Sequence, residues 1–161
     1  MKRLLIFLLA ALVTCAACQR EEKKVALDTS VRLLVKADGK YGYCDPNGGI
    51  TIIPPQFSSA SIFSEGLAAV SVNGKNGYID ANGTMVIPPS FEMASIFLNG
   101  RAAVRKGGKW GYINQSGKEV TDFDYLAGFP FTEGLAAVVV TKDGAGKAGY
   151  IDGQGKFVIK P

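Results

Sequence analysis

The stretch Gly100-Arg-Ala-Ala-Val-Arg-Lys-Gly-Gly-Lys-Trp-Gly-Tyr-Ile-Asn-Gln-Ser-Gly117 decides the fold of this chain. It holds two runs of strand character, Arg101 to Arg105 and Trp110 to Asn114, parted by Gly107-Gly108. Two such runs about a Gly-Gly pair predict an antiparallel hairpin. Asn114-Gln-Ser-Gly117 predicts a closing turn, because an Asx side chain bonds its own backbone and glycine accepts a left-handed conformation.

The same pattern recurs on both sides. Gly42, Gly77, Gly111 and Gly149 each precede a tyrosine: Tyr43, Tyr78, Tyr112 and Tyr150. Cys44, Ile79, Ile113 and Ile151 come next, then Asp45, Asp80, Asn114 and Asp152. Phe57, Ala60 and Phe63 return as Phe91, Ala94 and Phe97 at a spacing of 34 residues, and Tyr125 and Phe131 keep it. One such unit cannot bury its apolar face alone, but neighbouring copies can cover one another. The expected fold class is therefore all-β: about three and a half tandem repeats of short antiparallel hairpins. A solenoid-like stack and a partly closed barrel or propeller-like ring both fit the short strands and glycine-rich turns.

Several local expectations follow. Pro54-Pro55 and Pro88-Pro89 should stop the third strand of their copies, since proline lacks the ladder N–H; the third copy has Asp122-Phe123 there. The first strand is expected at Val31 to Lys36, and a longer loop, Lys142 to Lys147, in the last hairpin. Glycine before each tyrosine suggests a backbone or ring passing close by. The aliphatic after each tyrosine should face the core, with the tyrosine ring between units and its hydroxyl at the margin. The Phe-x-x-Ala-x-x-Phe segments are too short for a helix with its own core stripe. They predict a turn or short 3₁₀ segment whose rings plug the gap between hairpins.

The N-terminus reads differently. Lys2-Arg3 precedes Leu4-Leu-Ile-Phe-Leu-Leu-Ala-Ala-Leu-Val13, an apolar run too short to span a bilayer as a helix and suited to a secretory signal peptide. The run ends in Thr14-Cys-Ala-Ala-Cys18, which resembles the cleavage and lipidation box of bacterial lipoproteins. That resemblance implies lipidation at Cys18, with anchoring through several acyl chains. Cys15 at the third position upstream of Cys18 departs from the usual aliphatic residue. Secretion with cleavage near Ala17 is the alternative. The expected division is a signal peptide over 1–17, a tether over 18–30 containing Gln19-Arg-Glu-Glu-Lys-Lys24, and a repeat domain over 31–161. The chain would then be exported and anchored to the cell or outer membrane, facing the periplasm or the surface.

Composition limits the chemistry. The chain has 161 residues, no histidine and a formal charge of +4. Removing Lys2 and Arg3 with a leader cuts that charge to about +2, too little for an expected nucleic-acid partner. Cys44 stands where other copies have isoleucine, so it should pack as a small hydrophobe without a disulfide. His- and Cys-based nucleophile systems then have no members, and no glycine-rich nucleotide motif precedes a predicted helix. One acid per turn and no calcium-loop spacing give no metal site. No cofactor and no catalytic residue are expected.

Gly108-Lys-Trp-Gly111-Tyr-Ile-Asn, with Val86-Ile-Pro-Pro-x-Phe91 and Phe63-Ser-Glu-Gly-Leu-Ala-Ala-Val70, resembles the bacterial WG-repeat family over roughly residues 36–161. Trp110 is the only tryptophan; Tyr41, Asn76 and Ala148 stand at its equivalent positions. The resemblance implies a β-rich array and carries no catalytic residues to transfer. The leading expectation is a non-catalytic, membrane-anchored binding or scaffold module of the bacterial envelope. Its expected contact patch is Trp110 with Arg101, Arg105, Lys106 and Lys109, suited to a glycan or an acidic protein partner. The alternatives are an assembly subunit whose terminal strands pair with other chains, and a hydrolase with an unrecognised cleft.

Overall fold

The computed structural model describes residues 31–46 and 49–161. The leader, Cys18 and the tether lie outside the described residues. Among the described residues, fourteen strands form four antiparallel sheets, each built on one hairpin of the repeat. The first sheet orders β1 (Leu33–Ala37), β2 (Lys40–Cys44) and β3 (Thr51–Phe57). The second orders β4 (Ser59–Ala60), β5 (Ala68–Val72), β6 (Lys75–Ile79) and β7 (Met85–Phe91). The third holds β8 (Met93–Ala94), β9 (Arg101–Lys106) and β10 (Lys109–Asn114). The fourth holds β11 (Ala127–Gly128), β12 (Leu135–Lys142), β13 (Ala145–Asp152) and β14 (Phe157–Ile159).

Three apolar clusters sit at the three junctions between consecutive sheets. Tyr43, Ile53 and Phe57 of the first sheet meet Ala68, Val70 and Ile79 of the second. Tyr78, Ile87 and Phe91 of the second meet Ala102, Val104 and Ile113 of the third. Tyr112 of the third meets Ala136, Val138 and Ile151 of the fourth. The sheets are therefore stacked front to back: the tyrosine face of each of the first three sheets is covered by the Ala/Val/Ile face of the next copy. No cluster joins the first sheet to the fourth among the described residues, so the array is an open stack. Alternation along the strand explains why Tyr and Ile serve different junctions, since neighbours point to opposite faces. Both faces of the inner sheets are core: Tyr78 and Ile79 are each fully buried.

The proline pairs do not stop their strands. β3 and β7 run through them, and the pairing shifts register opposite Gly42 and Gly77. These are edge strands, where a missing N–H costs no ladder bond. The extra residues bulge over the glycine. A Cβ at Gly77 would overlap the Ile87 carbonyl oxygen and lie 2.8 Å from Pro89 N. In the third copy, where Asp122-Phe123 replaces the prolines, the third strand is reduced to isolated bridges at Glu119 and Tyr125.

Three other expectations change. The Phe-x-x-Ala-x-x-Phe segments carry two-residue strands, β4 and β8, rather than a 3₁₀ turn, because Ala60 and Ala94 pair with Val70 and Val104. Their phenylalanines do fill the junctions, with Phe63, Phe97 and Phe131 rings 4.7, 4.8 and 5.1 Å from those of Tyr43, Tyr78 and Tyr112. The last hairpin has longer strands instead of a longer loop. Lys142 pairs with Ala145 across a two-residue turn at Asp143-Gly144, both at positive φ. The first strand begins at Leu33 and extends to Ala37.

Candidate functional site

Polar contacts repeat along the stack as regularly as the apolar ones. The hydroxyls of Tyr43, Tyr78 and Tyr112 donate to the carbonyls of Ser61, Ser95 and Phe129, each at 2.7 Å and each in the segment leading to the next sheet. Burial pushes the Tyr43 phenol up to about 12 and raises Tyr78 and Tyr112 above the ordinary phenol value as well. Asx turns close the last three sheets. Asp80 Oδ1 accepts from Asn82 N and Thr84 N at 2.9 and 2.8 Å, and Asn114 and Asp152 do the same in their copies. The turn glycines Gly83 and Gly117, at φ +86° and +81°, lie against Ile53 and Ile87 of the preceding sheet, where a Cβ would come within 3.2 Å of the isoleucine side chains.

The bend residues Glu65, Asn99 and Glu133 occupy the left-handed region, each followed by a glycine that does too. Such pairs make two-residue turns; Ser64 and Leu67 exchange backbone bonds of 2.9 and 3.1 Å across the first. Glu65 also reaches forward. Its Oε2 accepts from Gly100 N at 2.9 Å and from Gln115 Nε2 at 3.1 Å, tying its sheet to the next copy.

The fourth sheet carries this set of groups with nothing described over it. Glu133, Leu135, Ala137, Tyr150 and Ile159 correspond in register to Glu65, Leu67, Ala69, Tyr78 and Ile87. Tyr78 is fully buried, whereas Tyr150 is 43% exposed. Leu98, Phe129, Pro130, Glu133, Leu135 and Tyr150 contribute to a hollow of about 720 Å³ on this end. Phe129 is exposed beside it. This end face is the candidate site: apolar, aromatic and edged by one carboxylate.

Residues 41–75, 77–110 and 110–142 each match the WG containing repeat. The chain belongs to the WG-repeat family. Each WG repeat runs from the second hairpin strand of one sheet to the first hairpin strand of the next, so every complete unit spans one junction. β13 and β14 stand where a further unit of this WG array would start. No curated protein and no solved structure matches the chain.

The WG hairpin of the third sheet brings together four of the five residues expected as a patch. Trp110 pairs across the strands with Arg105, and Lys109 with Lys106. Arg101 stands at the other end of β9, where its Nε donates to the Gly153 carbonyl of the next sheet at 3.0 Å. Trp110 is half-buried against the junction of the third and fourth sheets. Arg105 Nε lies 3.7 Å from Glu92, and Lys106 Nζ lies 3.1 Å from Glu119 and over the Phe123 ring. Cys44 is a buried free thiol. Among the described residues, no group of three or more His, Cys, Asp or Glu could hold a metal ion. A polar cleft of about 470 Å³ lies along Glu119, Asp122 and Asp124. The end face was not visible from the sequence, since Gly149-Tyr150-Ile151-Asp152 reads like the equivalent segments whose tyrosines are buried.

Proposed function

We propose that this chain is a lipid-anchored, non-catalytic binding or scaffold module of the bacterial envelope, attached through Cys18 and making contact through the end face around Tyr150. The observation that carries the contact is the uncovered tyrosine face of the fourth sheet. In three other copies the same face is a junction. An apolar hollow with exposed aromatic side chains and a carboxylate at its rim suits a protein surface. The Trp110 hairpin offers less: Arg105 and Lys106 already face acids of their own chain, which leaves Lys109 and a half-buried ring for a glycan or an acidic partner. The anchor rests on the leader pattern and the lipoprotein-like box.

Affinity capture of the intact protein from its own membranes, with mass analysis of the N-terminal peptide, tests both parts. The expected result is an acylated Cys18 at the new N-terminus and a captured partner lost in a Phe129→Ala/Tyr150→Ala variant of unchanged melting temperature. An unmodified Cys18 would remove the anchor, and capture indifferent to the double variant would remove the end-face contact.

A further inference from the structure

The first sheet presents the counterpart of this end face. In each junction the covering sheet offers an Ala, a Val and an Ile: Ala68, Val70 and Ile79, then Ala102, Val104 and Ile113, then Ala136, Val138 and Ile151. Leu33, Val35 and Cys44 hold those register positions in the first sheet, where Leu33 pairs with Cys44 as Ala68 pairs with Ile79. Their face points away from the second sheet, and Leu33 is 47% exposed. One chain thus carries both halves of the junction, a tyrosine face at one end and an aliphatic face at the other; Tyr150 and Leu33 stand open at 43% and 47%, Val35 is half-buried and Cys44 is buried.

Sideways growth is less suited to this body. Proline pairs occupy one edge of the first and second sheets, and two-residue strands close the opposite edge of the last three. Both devices discourage strand addition. The faces remain. We propose that the end face around Tyr150 takes the first sheet of a second copy of this chain, continuing the stack head to tail. The contact is heterologous, so it propagates as a line of copies rather than closing as a symmetric pair. It continues the three junctions already built inside the chain: Leu33 and Cys44 of one copy lie over Tyr150 and Ile159 of the next, as Ala102 and Ile113 lie over Tyr78 and Ile87. This rests on the binding-module reading and names the partner of the same face.

Two full-length variants in a Cys44→Val background test it: Leu33→Cys and Ile159→Cys, differently tagged, expressed together in one envelope and treated with a short bis-maleimide. Both positions are about half exposed, at 47% and 53%, so a cysteine leaves the monomer's packing alone. The expected result is a product of twice the chain mass bearing both tags. With either variant alone it falls to the background set by the leader cysteines. A product of the Ile159→Cys variant with itself would overturn head-to-tail stacking in favour of paired end faces. A product with a different protein would overturn the second copy as occupant and leave the binding-module reading standing. No product, with the thiol at position 159 freely labelled, would overturn both.

Discussion

Tyr78 and Tyr150 occupy the same place in two copies of one repeat, each in a Gly-Tyr-Ile-Asp segment and each paired with an isoleucine of the third strand. Tyr78 is sealed from solvent, packed against Phe97 and bonded to the Ser95 carbonyl. Tyr150 is 43% exposed, and its hydroxyl bonds no group among the described residues. The difference lies wholly in what comes next in space. A sheet of this array does not own its core, because half of every core belongs to its neighbour, as expected for quasi-one-dimensional folds.

Truncating the two rings should break the comparison most sharply. Tyr78→Ala should cost about 3–5 kcal/mol through loss of a buried aromatic, and Tyr150→Ala less than about 1 kcal/mol in the unstacked chain. Denaturant melts of the two variants read this directly, and equal losses would mean that the fourth sheet is covered too. Glycine comes next. Gly77→Ala drives a methyl into the bulged proline backbone and should cost about 2–3 kcal/mol. Gly111→Ala meets the Phe123 ring edge at 3.0 Å and the Asp122 carbonyl at 3.1 Å, in a segment without the proline pair, and should cost roughly half as much.

Alkaline titration separates the tyrosines by burial. Tyr43, Tyr78 and Tyr112 keep their protons in the folded chain beyond the unfolded value of 10.0. The folded state therefore binds more protons than the unfolded one above that pH, and stability must fall there. Melting midpoints should hold steady up to about pH 10 and decline through the Tyr43 value of about 12. Tyr78→Phe should make the decline shallower. The smallest effect belongs to the Asx turns. Asp80→Ala should cost about 1 kcal/mol and Asp80→Asn close to nothing, since Asn114 already fills that role in the third copy.

Much of the stack was legible because the repeats align with themselves. Glycine before each tyrosine announced the close backbone approach, and Asp or Asn before a spaced glycine announced the turn. The proline pairs misled because a proline is incompatible with a ladder only where its N–H is needed. On an edge, opposite a glycine, it bulges and the strand goes on. Ala60 and Ala94 hid their two-residue strands because so short a pairing leaves no periodic pattern. The assignment of Tyr and Ile to successive junctions was half visible: alternation put them on opposite faces, but nothing local says that both faces are covered. The Trp110 patch depended on Glu92 and Glu119, whose approach to Arg105 and Lys106 is set by pairing across 13 residues.

The front-to-back stacking is tested most directly by through-space NMR contacts between tyrosine ring protons and isoleucine methyls. Cross-peaks should join Tyr43 to Ile79, Tyr78 to Ile113 and Tyr112 to Ile151, and in dilute solution the Tyr150 ring should show none to the methyls of Ile79, Ile113 or Ile151. A spectrum in which the Tyr78 ring contacts neither Ile113 nor Val104, or in which the Tyr150 ring touches methyls of the first sheet within one chain, would contradict an open stack of mutually covering sheets.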